Sequence, residues 1–139
     1  SRMTRFMIPL DKAVELVWKA FEDAKGGEIY VRKIPSIKLT DVAKAVNPRA
    51  KHKIIGTRPG EKLHEQMISL EDSEHTYEYG DHYKILPSIN DWCHDINRIK
   101  DGEKVPPGFN YSSESNSEWM RPCDLKRWIN NNSESIGIQ

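Results

Sequence analysis

Residues 10–31 read LDKAVELVWKAFEDAKGGEIYV, and this stretch predicts a helix, a turn and a strand in succession. Apolar residues follow the spacing of one helix face at Val14, Val17, Trp18 and Phe21. Asp11 is placed to cap the start of the helix, and Gly26-Gly27 is a signal for its end. We expect the apolar face to pack in the core and residues 28–31 to form a short strand.

The rest of the chain alternates short elements with loops. The patterns predict a helix from Thr40-Asp41 to Val46, a strand at 51–56, a helix at 61–67, extended chain at 77–86, a loop at 101–117 and a last helix from about Pro122. Pro122 suits the first position of a helix, and Met120 and Leu125 are spaced for a hydrophobic staple. We therefore expect the α+β class, as one small mixed domain over residues 1–129 with a flexible tail at 130–139.

The composition of this 139-residue chain excludes several classes of function. The 21 Lys+Arg residues balance 21 Asp+Glu residues, so the basic excess of a nucleic-acid-binding protein is missing. No apolar run approaches the roughly 20 residues of a membrane span, and we expect no signal region from the first residues. Two cysteines are too few for a disulfide framework, so we expect a cytoplasmic protein.

The supply of apolar residues is low for a domain of this size. Hydrophobic residues make up 37% of the chain, and its mean hydropathy is −0.74. Two explanations fit these values: a polar tail lowers the average, or the domain completes its core against a partner.

Familiar cofactor and metal motifs are missing from the sequence. No G-x-G-x-x-G fingerprint occurs, and the glycines at 56 and 60 are too close for a Walker phosphate loop. His64-Glu65 begins like a zinc-protease motif, but Ile68 stands where the second histidine is needed. Cys93-His94 has no partner pair elsewhere in the chain. We expect no metal site in this chain, and no serine or cysteine triad is readable from its sequence.

Residues 54–65, IIGTRPGEKLHE, carry the clearest chemical signal. The pattern predicts a strand, a turn set by Pro59 and Gly60, and the start of a helix. The planar fork of Arg58 matches two phosphate oxygens, and a helix N-terminus favours an anion. The carboxylate of Glu61 can accept hydrogen bonds from a ribose diol. Alternatively, Arg58 and Glu61 pair with each other on the surface, and the chemistry alone leaves both interpretations open.

Four short motifs occur in one order along the chain: MTRF at 3–6, GGEI at 26–29, KIPS at 33–36 and RPGEKLHE at 58–65. Together they closely resemble the C-terminal part of the UDP-N-acetylglucosamine 4,6-dehydratases, which are extended short-chain dehydrogenase/reductases. The Arg-Pro-Gly form of the last motif resembles the inverting type of the pseudaminic acid pathway. Among alternative assignments of the resemblance, the capsule-sugar dehydratase/epimerases are the nearer group.

This resemblance implies a substrate site. Met3, through its backbone, and Arg5 are expected to contact the nucleotide sugar, UDP-N-acetylglucosamine. The family places the diphosphate on Arg58 and the uridine ribose on Glu61. Asn116, in the polar loop before the last helix, is a further candidate, with an ordinary turn asparagine as the alternative.

The resemblance also implies what this chain lacks. The NADP site, the Tyr and Lys pair and the acid/base groups belong to an N-terminal Rossmann part, so this chain alone binds no cofactor and is not catalytic. We expect that part, in the same or a separate chain, and further copies of the protein as partners. Two other functions stay open: a portion of a related nucleotide-sugar epimerase or reductase, and a non-catalytic interaction module with the same fold.

Overall fold

The computed structural model describes residues 2–132 and contains short helices and short strands. The helices are Leu10–Asp23 (α1), Leu39–Val46 (α2), Leu70–Ser73 (α3), Ile96–Ile99 (α4) and Pro122–Asn131 (α5), with a 3-10 helix at Ile89–His94. The strands are Thr4–Phe6 (β1), Ile29–Arg32 (β2), Ser36–Lys38 (β3), Gln66–Ile68 (β4), Thr76–Glu78 (β5), His82–Ile85 (β6), Glu103–Lys104 (β7) and Tyr111–Ser112 (β8). The expected α+β class is confirmed.

Within the described residues the strands form three small sheets, and every strand pair is antiparallel. β1 pairs with β3, β4 pairs with β8, and the third sheet has the order β2-β6-β5-β7.

The chain divides into two compact units. Unit 1 comprises Ser1–Met7, Pro35–Glu65 and Ser113–Gln139, and unit 2 comprises Ile8–Ile34 and Gln66–Ser112. The single domain over residues 1–129 stays a prediction.

The core of unit 1 lies between α2, α5 and β3. Its buried residues are Ile37, Ala45 and Leu125, and Met7, Val42, Met120 and Ile129 pack against them. Helix α5 begins at Pro122 as predicted. Met120 and Leu125 belong to the same apolar cluster, as the predicted staple requires.

A core cluster of unit 2 lies on its four-stranded sheet. Tyr77 and Leu86 are buried on the four-stranded sheet, with Tyr79 and Ile99 packed against them. The extended segment predicted at 77–86 forms most of the hairpin of β5 and β6.

The helix predicted from residue 10 is confirmed as α1, but two details of that prediction are wrong. Asp11 lies in the first turn, Pro9 occupies the N-cap position, and no side chain caps the helix. The apolar face of α1 is exposed instead of buried. The physical reason is that another side of the helix, with the partly buried Ala13 and Leu16, lies beside β2, and Lys19 at its margin pairs with Asp81 at 2.8 Å.

The strand predicted at 51–56 and the helix predicted at 61–67 are also wrong, since the described chain is irregular from 51 to 65. Long-range hydrogen bonds replace the helical ones: the carbonyl of Leu63 accepts from the Thr4 N–H at 3.1 Å, and that of Glu65 accepts from the Ser113 N–H at 2.8 Å. Tertiary pairing has therefore overridden the local helix signal.

The tail predicted at 130–139 overlaps α5, which continues to Asn131. Residues 133–139 of that prediction lie outside the described residues. Among residues 2–132, the helices are too short or too polar to cross a bilayer.

Candidate functional site

The Arg-Pro-Gly-Glu motif forms a tight turn on the surface of unit 1. The Arg58 carbonyl accepts a hydrogen bond from the Glu61 N–H at 3.1 Å. Gly60 has a φ of 84°, the left-handed conformation that the third residue of a type II turn requires. Pro59 suits the second position of that turn. The Glu61 carboxylate closes the turn by accepting from the backbone N–H of Arg58 at 3.0 Å.

This turn leaves the side chain of Arg58 exposed. The alternative expectation, an ion pair between Arg58 and Glu61, is not formed among the described residues, because the Glu61 carboxylate binds the backbone N–H. The expected helix N-terminus beside Arg58 is also missing from the described segment. The turn therefore presents a guanidinium fork without help from a helix dipole.

Arg5 lies beside the segment that follows this turn. Its guanidinium donates to the backbone carbonyls of Lys62 at 3.0 Å and Leu63 at 3.3 Å. Its Nε lies 3.4 Å from a carboxylate oxygen of Glu65. Much of its donor capacity therefore holds the segment against β1, a positioning role that the sequence did not reveal.

Met3 lies beside the segment that leads into the turn. Its carbonyl accepts from the Leu39 N–H at 3.0 Å. Its side chain lines a groove of about 380 Å³ together with Ala43, Ile54 and Ile55. Both isoleucines are exposed, as expected for an irregular segment, so the groove is an apolar surface next to the charged turn.

The amide of Asn116 is used within a turn. Its Nδ2 donates to the Ser36 Oγ and to the Glu118 carbonyl, both at 3.0 Å, and its Oδ1 accepts from the Glu118 N–H at 3.3 Å. Its carbonyl accepts from the indole of Trp119 at 2.8 Å. This geometry is that of an ordinary turn asparagine, which is the alternative to a substrate contact at this position.

A buried hydrogen-bond cluster supports the site. The Thr4 hydroxyl lies 2.7 Å from the His64 Nδ1 and 2.7 Å from the Ser113 hydroxyl. The Ser113 hydroxyl also accepts from the Glu65 N–H at 2.9 Å, and the His64 Nε2 lies 3.4 Å from Glu114. These residues join three segments up to 109 positions apart, so no spacing in the sequence identifies them.

A second polar cluster lies in unit 2. Lys84 is buried; its Nζ is ion-paired with Asp23 and donates to the Arg98 carbonyl at 2.9 Å. Lys100 pairs with the same carboxylate, and the Tyr30 hydroxyl donates to it at 2.6 Å. Burial alone would raise the pKa of Asp23, but the hydrogen bonds from Lys100, Lys84 and Tyr30 hold it well below its ordinary value. The cluster is a paired structural network.

His82 is stacked within this network between two tyrosines. Its ring centroid lies 4.6 Å from that of Tyr79 and 5.8 Å from that of Tyr30. Burial lowers the pKa of His82, and the hydrogen bond to Asp81 only partly offsets this. The pKa of Asp81 is lowered by Lys19 and by His82, whereas burial raises that of Tyr79 to about 12. These shifts favour a neutral imidazole and an ionised, paired carboxylate.

Among the side chains described, no group of three or more His, Cys, Asp or Glu could hold a metal ion. The candidate site is thus the surface formed by Met3, Arg5 and the turn at 58–61, with Asn116 in a separate turn of the same unit.

Comparison with known proteins shows where similar chains occur. Residues 1–87 match the family described as polysaccharide biosynthesis protein. The chain is 49% identical over 137 residues to the UDP-N-acetylglucosamine 4,6-dehydratase (inverting) of Campylobacter jejuni serotype O:2, and 47% identical over 135 residues to the protein of that name from serotype O:23/36. The resemblance seen in the sequence is confirmed. Each alignment includes 94% of this chain but 40% of the relative, so the chain spans about two fifths of these relatives' length.

Two further proteins are similar over different extents. The UDP-glucose 4-epimerase of Rickettsia canadensis is 40% identical over 87 residues, which cover 60% of this chain and 26% of the epimerase. The crystal structure of Pen from Bacillus thuringiensis superposes with a TM-score of 0.78 at 26% identity, covering 95% of this chain and 40% of that one.

Proposed function

Because this chain belongs to the polysaccharide biosynthesis protein family, we propose that it is the UDP-N-acetylglucosamine-binding portion of an NADP-dependent 4,6-dehydratase. The observation that carries the proposal is the turn at 58–61, which presents an exposed Arg58 fork beside Glu61. The 49% identity to the inverting dehydratase of Campylobacter jejuni supports this activity over others.

The proposed site divides the ligand between several side chains. Arg58 binds the diphosphate through parallel hydrogen bonds, the arrangement in which a planar guanidinium binds phosphate best. Glu61 accepts from the ribose hydroxyls. Met3 and the groove beside it contact the nucleotide sugar. Arg5 contacts the substrate while its other donors hold residues 62 and 63. Asn116 takes part by shaping the loop before α5.

Catalysis requires a further part of the enzyme. The residues of this chain do not fit a dinucleotide: the sequence has no G-x-G-x-x-G, and the described strands pair antiparallel, unlike the parallel unit that binds NADP. We assign NADP and the catalytic Tyr and Lys to the N-terminal Rossmann part. The complete enzyme would be a cytoplasmic lyase of surface-polysaccharide or pseudaminic acid biosynthesis, assembled from several copies.

A related epimerase is the second candidate. The similarity to a UDP-glucose 4-epimerase favours it, although this similarity covers 60% of the chain against 94% for the dehydratases. An interaction module without a ligand is less well supported, since such a module has no need for the Arg58 and Glu61 arrangement.

Titration of this chain with UDP-N-acetylglucosamine, followed by amide NMR shifts, tests the proposal. We expect shifts that cluster at residues 3–6 and 57–62. Residues 70–73 in α3 provide the reference, because they belong to unit 2 and to no part of the proposed site. A folded chain without shifts at millimolar ligand would contradict a half-site that binds by itself.

Glu61→Gln is expected to weaken binding of UDP less than removal of Arg58 does. The amide oxygen of glutamine can still accept from the Arg58 N–H, so the turn is kept while the negative charge is lost. The loss should be much smaller for the 2′,3′-dideoxy analogue of UDP, measured by the same titration. Equal losses with both ligands would refute the assignment of Glu61 to the ribose.

A further inference from the structure

Helix α1 of unit 2 presents a row of large apolar side chains to solvent. Their exposed fractions are 80% for Leu10, 51% for Val17, 64% for Trp18 and 76% for Phe21. No residue of this 14-residue helix is buried. We call this row, together with Val14, the α1 apolar face.

Polar contacts on the other side of the helix hold this face outward. The Lys19 Nζ lies 2.8 Å from Asp81, and the Arg32 guanidinium donates to the Lys12 carbonyl at 3.1 Å. At the end of the helix, Asp23 accepts from the Tyr30 hydroxyl. Turning the apolar face toward unit 2 would break these contacts.

An uncovered face of this kind does not suit a stable helix. Isolated helices shorter than about 12–15 residues are marginal in water, and helices in proteins gain most of their stability from packing an apolar face. The rings of Trp18 and Phe21 contact each other, with centroids 6.1 Å apart, but neither is shielded. Only 37% of the residues of this chain are hydrophobic, yet several large ones form one exposed patch. An exposed apolar patch of this kind indicates an interface.

The length of the relatives points to an occupant for this face. Two dehydratases that are 47–49% identical to this chain match it over only 40% of their length, and the crystal structure of Pen does the same. A region of about three fifths of each relative therefore accompanies a segment like this one. A covalently attached region competes at an effective concentration in the millimolar range, which a second copy of the chain does not reach at ordinary protein concentrations.

We propose that the α1 apolar face is the surface on which the N-terminal region of the longer enzyme packs. The partner surface is apolar and covers Val17, Trp18 and Phe21. This inference concerns assembly and does not depend on nucleotide binding, so it can fail or hold independently of the proposed function.

Cysteine labelling tests the proposal. Val17→Cys is introduced into this chain alone and into a chimera that joins the N-terminal region of the Campylobacter jejuni dehydratase to residue 1. Peptide mass spectrometry measures the rate at which the cysteine at position 17 is alkylated in each protein. We expect alkylation to be at least tenfold slower in the chimera, without UDP-N-acetylglucosamine. Lys12→Cys, on the side of α1 away from the apolar face, is the matched control and should label at similar rates in both.

Two results would overturn the proposal. One is equal labelling of Val17→Cys in the chain and in a chimera that unfolds cooperatively. The other is labelling of the chimera that slows as its concentration rises, because a second copy then covers the face. If the chimera does not fold, the same labelling is measured on the intact Campylobacter jejuni enzyme with a cysteine at the position aligned with Val17. Slow labelling of the folded enzyme supports the proposal. Labelling as fast as in the denatured enzyme refutes it.

Discussion

Arg58→Ala is expected to weaken UDP-N-acetylglucosamine binding by about 1.5–3 kcal/mol, or roughly 10- to 150-fold, the usual cost of losing a charge-assisted hydrogen bond. The turn should survive this change, because its hydrogen bonds use the backbone of Arg58 and the side chain of Glu61. Isothermal titration at low salt measures the effect.

Two variants separate the contact with the diphosphate from a general loss of charge. Arg49→Ala removes another exposed arginine of unit 1 and should bind as the unchanged protein does. Arg58→Lys keeps the charge but loses the planar fork, so its affinity should fall between those of the alanine variant and the unchanged protein. Unchanged affinity in Arg58→Ala, or an equal loss in Arg49→Ala, would refute the role of Arg58.

Lys84→Met is expected to lower the free energy of unfolding by about 3 kcal/mol, the lower end of the range for breaking a buried ion pair. Lys84 is only 2% exposed, and its removal leaves the Arg98 carbonyl without its 2.9 Å donor. It also removes an ion-pair partner of Asp23, which keeps Lys100 and Tyr30. Urea denaturation measures the loss.

Lys100→Met is the matched control, since Lys100 pairs with the same carboxylate but is half exposed. Its loss should be clearly smaller, because solvent screens an exposed pair. Asp23→Asn combined with Lys84→Met should cost less than the sum of the two single changes, because both remove the same ion pair. Equal losses for the two lysine variants would show that burial of Lys84 contributes nothing.

The same network predicts sensitivity to acid. The folded pKa of Asp23 lies below its ordinary value of 3.8, so the unfolded chain binds the proton more tightly. The stabilisation is therefore complete well above pH 4 and is lost as the pH falls toward the folded pKa.

The helices with strong periodic signals were predictable from the sequence. The pattern at 10–27 and the proline at 122 identify α1 and α5, because helix spacing and a proline at the first position act locally. The order of the short motifs also identified the family relationship. The two-residue strands within the loop at 101–117 carry too little local signal to be found.

The arrangement of the site was only partly predictable. The turn at 58–61 follows from Pro59 and Gly60, whose backbone preferences are local. The positioning role of Arg5 was not predictable, because it depends on carbonyls 57 and 58 residues away.

The sequence by itself therefore determined the α+β composition, the Arg-Pro-Gly-Glu turn and the family resemblance, since each depends on neighbouring residues or on their order. Only the tertiary structure decided that residues 61–67 form no helix and that the α1 apolar face is exposed. In the first case, β1 and residue 113 supply hydrogen-bond partners that replace the helical ones. In the second, Ala13 and Leu16 occupy the side of α1 beside β2, and the ion pair of Lys19 with Asp81 and the hydrogen bond from Arg32 to the Lys12 carbonyl fix this orientation.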